Sequence, residues 1–133
     1  MGNIIIRSSE FEKLMHTIAE GWNEGDGRKA ADCFSVDATY VEPPDKQVYH
    51  GRDELYEFFG GDEGTDTPMH MTWHHLAFNE DEQIGFGEYS FQMHGRYHGI
   101  VTVKLENGLV KFWREYQYKT ELSWDEFASL NLF

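Results

Sequence analysis

Apolar residues recur at helical spacing early in the chain. Phe11, Leu14, Met15, Ile18, Ala19 and Trp22 fall at offsets 0, 3, 4, 7, 8 and 11, which lines one face of a helix. Ser9 followed by Glu12 has capping-box spacing and marks its start. Gly21 and the Gly25-Asp26-Gly27 cluster predict its end. Asp26 is placed to cap a second short helix carrying Ala30, Ala31, Cys33 and Phe34. A short strand from Ala38 to Glu42 follows, stopped by Pro43-Pro44. Leu55, Phe58 and Phe59 then repeat the helical spacing, and residues 60–67 read as an exposed acidic loop.

From Met69 onward the period changes from 3.6 to 2. Strands are predicted over 69–78, 84–93, 97–106 and 109–119. Their connectors are Asn79 to Glu82, then His94-Gly95, then Asn107-Gly108. Asn-Gly is the strongest short hairpin signal, because a type I′ turn needs positive φ at both central residues. Ser123 with Glu126 starts a closing helical turn over Trp124 to Leu130. Helices first and a meander of strands afterwards predict an α+β fold, with N-terminal helices packed on a curved, mostly antiparallel sheet. Turn geometry then fixes strand register. One face carries His70, Thr72, His74, Tyr89, Phe91, His98, Ile100, Thr102, Trp113, Glu115 and Gln117. The other carries Met71, Trp73, Val101, Val103, Phe112 and Tyr116; a bulge would swap the faces beyond it.

Composition narrows the function. The 133 residues suit one domain, 1–133. Lys plus Arg number 11 against 24 Asp plus Glu, a net charge of −13. Such a surface repels phosphate backbones and anionic lipid, so neither nucleic acid nor membrane is an expected partner. Aromatics make up 16% of the residues, too many for a disordered acidic chain. One cysteine, Cys33, excludes an intrachain disulfide framework. The apolar run Ile4 to Ile6 is far shorter than the roughly 7–15 residues of a signal peptide, so the expected location is cytoplasmic.

Several local motifs together carry a resemblance. They are Trp22-Asn23-Glu24-Gly25-Asp26, the run Phe34 to Tyr40, Pro43-Pro44, Gly51-Arg52-Asp53, and Gly108 to Tyr116 ending in Trp113-Arg114-Glu115-Tyr116. In order and spacing, from about Ser9 to Tyr118, the chain resembles the nuclear transport factor 2-like, or SnoaL-like, domains. The resemblance implies a cone-shaped domain whose curved sheet and helices enclose one apolar pocket, commonly in a homodimer. That fold hosts ketosteroid isomerase, scytalone dehydratase, polyketide cyclases, limonene epoxide hydrolase and non-catalytic binding modules, so fold alone does not set function.

The resemblance points the face of Trp113 and Glu115 inward. The ligand-binding residues expected there are Trp22, Tyr40, His74, Tyr89, Phe91, Thr102 and Trp113. The opposite face would be a dimer surface built on Phe112, Tyr116, Val101 and Val103. Glu42, just before Pro43, matches the position of the isomerase's catalytic base. The positions of that enzyme's oxyanion-hole Tyr and Asp fall near Ile18 and at Thr102, which argues against its mechanism. Glu115 matches the catalytic acid of the epoxide hydrolase, yet Gly87-Glu88-Tyr89-Ser90 lacks that enzyme's Arg. The candidate catalytic residues are therefore Glu115, Glu42 and His98, with scaffold roles as the alternative. His70 and His98, two strands apart, would stand ~9–10 Å from each other, so no metal is expected. The expected function is binding of a small, apolar, neutral molecule, with cofactor-free proton transfer or binding alone.

Overall fold

The computed structural model describes residues 4–42, 46–65 and 69–133. Helix α1 is Ser8–Glu24 and α2 is Gly27–Ala31. Strands β1 (Phe34–Val41) and β2 (Val48–His50) precede α3 (Arg52–Phe58) and a 3-10 turn at Gly61–Glu63. Strands β3 (His70–Asn79), β4 (Ile84–Gln92), β5 (Arg96–Glu106) and β6 (Leu109–Lys119) lead to α4 (Trp124–Phe127). The four long strands fall within two residues of their predicted bounds. The Pro43-Pro44 stop lies outside the described residues. No helix among the described residues is long and apolar enough to cross a membrane.

Local chemistry explains the helix ends. Helix α1 begins earlier than the Ser9 cap implied: Arg7 is the N-cap, and its backbone N–H donates to Glu10 Oε1. Gly25, at φ 73°, ends the helix in the left-handed region where glycine has no steric cost. Gly21 is not a stop. It sits inside α1 where a Cβ would come 2.7 Å from the Ala30 backbone nitrogen, so it lets α2 pack closely. Asp26 caps α2 by accepting from the Lys29 N–H, as its spacing predicts. Strand β2 has no strong sequence signal: its three residues form an edge strand that pairs with β1 and packs Tyr49 on Phe58 of α3.

The six strands run in the order β2-β1-β6-β5-β4-β3, an open, curved, mixed sheet. All neighbours pair antiparallel except β1 and β6, which are parallel. The helical face of α1 buries Phe11, Met15, Ile18, Ala19 and Trp22 against one side of the sheet. Phe11 stacks on Phe78 with ring centroids 4.5 Å apart, over the open backbone of Gly85.

Three local irregularities correct the expected faces. The β5–β6 hairpin starts in the Asn107-Gly108 register, but β6 carries one extra residue at Lys111 between the pairs Leu105–Val110 and Lys104–Phe112. The β4–β5 connection closes at Gln92–Arg96, a three-residue loop in place of the two-residue turn. Strand β3 bulges between Trp73 and His75. Side chains alternate with period 2, so each one-residue slip reverses a strand's faces relative to its neighbour. Trp113, Glu115, Gln117, Tyr89 and Phe91 do face the helices. With them stand Val101, Val103, Met71 and Trp73, not the expected His98, Thr102 and His74. Val101 and Val103 are fully buried core and leave the proposed dimer surface, whereas Phe112 and Tyr116 remain exposed on the outer face.

Candidate active site

Parallel pairing of β1 with β6 builds the site. Tyr40 is registered with Trp113, and their rings stack 5.6 Å apart at 6°. Two residues further along each strand come Glu42 and Glu115, on the same face by the period of 2. Neighbouring strands lie about 4.8 Å apart, so this register brings two acidic side chains together. Gln117 follows at the next inward position of β6.

The two carboxyls are joined by a closed ring of hydrogen bonds. The Tyr40 hydroxyl lies 2.7 Å from both Glu42 Oε2 and Glu115 Oε1. The Gln117 amide donates to Glu42 Oε1 at 2.7 Å and to Glu115 Oε2 at 3.1 Å. Glu115 also accepts from the Trp113 indole N–H and the Tyr89 hydroxyl. A hydroxyl has one proton, so Tyr40 cannot donate to both acids. Donating to Glu115, it must accept from Glu42, and donor counting therefore places a proton on Glu42. Burial, followed by the nearby charge of Glu115, pushes the Glu42 pKa up to about 8, which agrees with that placement. Burial and the same carboxylates also hold the phenols of Tyr40 and Tyr89 protonated, well above their usual range.

Tyr89 reaches Glu115 because β5 has no side chain at Gly99. A Cβ there would stand 2.7 Å from the Tyr89 oxygen. Glu115 is 4% exposed, while Glu42 is only partly buried and is the more accessible acid.

These acids line one wall of a cavity of about 490 Å³. Its apolar walls include Trp22, Phe58, Phe59, Met69, Met71 and Phe91. Gln47 and His94, both exposed, stand at its rim with Tyr97. The Trp22 indole N–H is buried and, among the described residues, has no partner. Of the expected site residues, Glu42, Glu115, Trp22, Tyr40, Tyr89, Phe91 and Trp113 all line this cavity. Met71, which turn counting puts on the opposite face, and Gln117 also line it. Both follow signals in the sequence: Met71 alternates with polar neighbours, and Gln117 lies two residues from Glu115.

His98, His74 and Thr102 lie on the opposite side of the sheet. The Nε2–H of His98 donates to the Leu122 carbonyl at 3.2 Å. Its Nδ1 is then the acceptor for Ser90 Oγ at 2.8 Å, and His74 Nε2 donates to that oxygen at 2.6 Å. Trp124 of α4 stacks on His74 at 3.8 Å, and Phe127 packs on His98. Burial lowers the pKa of His74. The histidines thus fasten the segment after β6 to the sheet and do not reach the cavity. Cys33 is a buried small hydrophobe, its thiol pushed up to about 11 by burial. Among the described residues no group of three or more His, Cys, Asp or Glu is arranged to hold a metal ion.

Helices on a curved mixed sheet, with an acidic pair lining an apolar cavity, define the α+β fold that the resemblance implies. The chain belongs to the SnoaL-like domain family, whose sequence model matches residues 16–113. No curated protein matches it significantly. Among solved structures it is similar to a protein of unknown function with a cystatin-like fold from Methylobium petroleophilum PM1, with a TM-score of 0.73 at 17% identity over 91% of this chain and 84% of that one. It is also similar to SalBIII, an epoxide hydrolase/cyclase-like enzyme in pyran ring formation in the polyether salinomycin (TM-score 0.70, 18% identity, 83% of this chain, 92% of that one). An LEH-like epoxide hydrolase from M. tuberculosis aligns with a TM-score of 0.70 at 12% identity, over 92% of this chain and 90% of that one. At these identities the likeness shows the fold.

Proposed function

We propose that this SnoaL-like protein binds a small, apolar, neutral molecule in the cavity and moves a proton on it without a cofactor. The observation that carries this reading is the bridged pair Glu42–Glu115 on the wall of an aromatic chamber. At neutral pH the pair combines a proton donor with a charged partner, and donor and acceptor share one hydroxyl. Glu42 is the acid–base group that meets the ligand. Glu115 and Tyr40 position and balance it. Isomerisation, dehydration, cyclisation and hydrolysis all use such a pair. Fold neighbours named for epoxide hydrolysis and pyran ring formation indicate that the architecture accommodates chemistry of this kind. A binding module without turnover would use the same cavity.

The volume suits a ligand of one or two rings, since ligand cavities typically span ~300–1,000 Å³. Trp22 and Trp113 report on occupancy. Titration with 2-naphthylmethanol is expected to change tryptophan emission at 1:1 stoichiometry, and Met71→Trp, which fills the chamber, is expected to abolish the response. An unchanged response in that variant would place binding elsewhere.

We propose further that the protein is a homodimer through the outer sheet face. Phe86, Ile100, Phe112 and Tyr116 stand there on three adjacent strands, each 47–52% exposed. Light scattering at micromolar concentration is expected to give twice the chain mass, and Ile100→Asp to give the monomer. A monomeric parent protein would refute the dimer.

A further inference from the structure

The cavity holds a second polar point apart from the acid pair. The Tyr40 and Tyr89 hydroxyls, the Trp113 indole and the Gln117 amide all meet carboxyl oxygens of Glu42 or Glu115. The Trp22 indole N–H does not. Trp22 lines the same cavity and is 8% exposed, and its Nε1 has no acceptor among the described residues. Trp73 shows the usual solution: its N–H donates to the Met15 carbonyl at 2.9 Å. Buried donors are nearly always paired, because one left unpaired has given up water for nothing. A phenylalanine at this place would bring no donor to satisfy.

Packing fixes the Trp22 ring. It comes from the last turn of α1, just before Gly25 ends the helix. It stands edge-on to Phe59 at 5.4 Å and to Trp113 at 5.7 Å, and both of these also line the cavity. Those neighbours offer it only π faces, which are weak acceptors. An acceptor brought in by a ligand would therefore meet a donor that is already desolvated and held in place. The acid pair that shares the cavity includes a carboxylate, which disfavours an anionic acceptor, so a neutral oxygen is the one that fits.

We infer that Trp22 is a ligand-positioning residue whose indole N–H donates to a neutral carbonyl or ether oxygen of the ligand, while Glu42 meets a different atom of it. This rests on the cavity-binding reading above and adds the chemical class of the ligand, an oxygenated ring compound and not a plain hydrocarbon. An indole gives up no proton near neutral pH, so Trp22 binds and orients, and proton exchange stays with Glu42. One polar point from α1 and one from the sheet together set which atom of the ligand faces the acid.

Acetophenone and α-methylstyrene share a shape and differ in carrying a carbonyl oxygen or a methylidene carbon. Each would be titrated into isotope-labelled protein while the four indole N–H resonances are followed by NMR. Trp22→Phe removes one resonance and so assigns it. Both probes bring the same ring current, so a difference between them reports the hydrogen bond. Acetophenone is expected to move the Trp22 indole proton downfield, and α-methylstyrene to lack that shift. Followed on the Trp113 resonance, Trp22→Phe is expected to weaken acetophenone about tenfold more than α-methylstyrene. The smaller ring also loosens the wall, but that loss falls on both probes alike. Equal shifts in the parent protein, or equal losses in the variant, would make Trp22 a packing residue; either overturns the inference and leaves the cavity-binding reading standing. Should the variant not fold, the contacts of Trp22 with Phe59 and Trp113 assign its resonance, and the shift in the parent protein decides. If neither probe moves any resonance of the cavity wall, both readings fall.

Discussion

Glu42→Gln is expected to fold normally and to lose the acid–base function, lowering turnover of any substrate by roughly 10²–10⁴-fold. The substitution copies the protonated acid. An amide nitrogen can donate to the Tyr40 oxygen while the amide oxygen accepts from Gln117, so the ring of hydrogen bonds survives. The variant cannot exchange its proton, and this gives a readout that needs no substrate. In the native protein Glu42 titrates near 8 instead of 4.5, raised chiefly by burial. A folded pKa above the unfolded one stabilises the fold fully below about 4.5, and that contribution disappears as pH rises through about 8. Thermal unfolding across pH 5 to 9 should therefore show the parent losing stability relative to the variant. Parallel curves for the two proteins would mean that Glu42 is already ionised in the fold, against the donor count at Tyr40.

Glu115→Gln is expected to be the more damaging change, although it too replaces an acid by its amide. Glu115 accepts from Tyr40, Tyr89, Trp113 and Gln117, on both of its oxygens. An amide must turn a donor toward one of those pairs. The buried N–H groups and hydroxyls on that side then lose their acceptor, at a cost of ~3 kcal/mol. For a domain of this size that corresponds to a fall of roughly 10 °C in midpoint temperature. Calorimetry at pH 7 measures it. A midpoint within about 2 °C of the parent would show that the donors find other partners and that Glu115 does not hold the site together. The two substitutions are chemically alike and opposite in consequence, because Glu42 meets one donor and one acceptor, as an amide can, while Glu115 meets donors alone.

Most of the architecture is legible in the chain because its signals are local. The Phe11-to-Trp22 stripe, the Asp26 cap, the Asn107-Gly108 turn and the Ser123–Glu126 pair each act within a few residues. The acids at 42 and 115 could be found because the motifs around them, Pro43-Pro44 and Trp113-Arg114-Glu115-Tyr116, carry the family resemblance that points their face inward. The faces of β3 and β5 could not be had by counting back from turns. A turn one residue longer than its glycine suggested, and a bulge that nothing near Lys111 announces, each shift the count. The strands' own alternation carried better information. Met71 and Trp73 are apolar between His70, Thr72 and His74, as Val101, Val103 and Leu105 are beside Thr102 and Lys104. Burial follows that pattern because each row must satisfy its own surroundings, whatever the turn does. The histidines misled for a different reason. Their partners, Leu122 and Trp124, come from a segment more than twenty residues away, and no pattern within β5 specifies that packing.

The extra residue in β6 uncouples the site from the turn beside it. Lys111 stands between the tight turn and the row that carries Trp113, Glu115 and Gln117. Deleting it would leave Phe112 opposite Lys104, Trp113 opposite Val103 and Glu115 opposite Val101, the pairs the native strand already makes, so the acid would stay in the chamber. A strand that kept Lys111 but paired without the bulge would instead set Phe112 opposite Val103 and Arg114 opposite Val101 and turn Glu115 outward. Loss of this one codon is thus absorbed by the sheet, and what lineages retaining the acidic pair must inherit is the bulge wherever they inherit the residue.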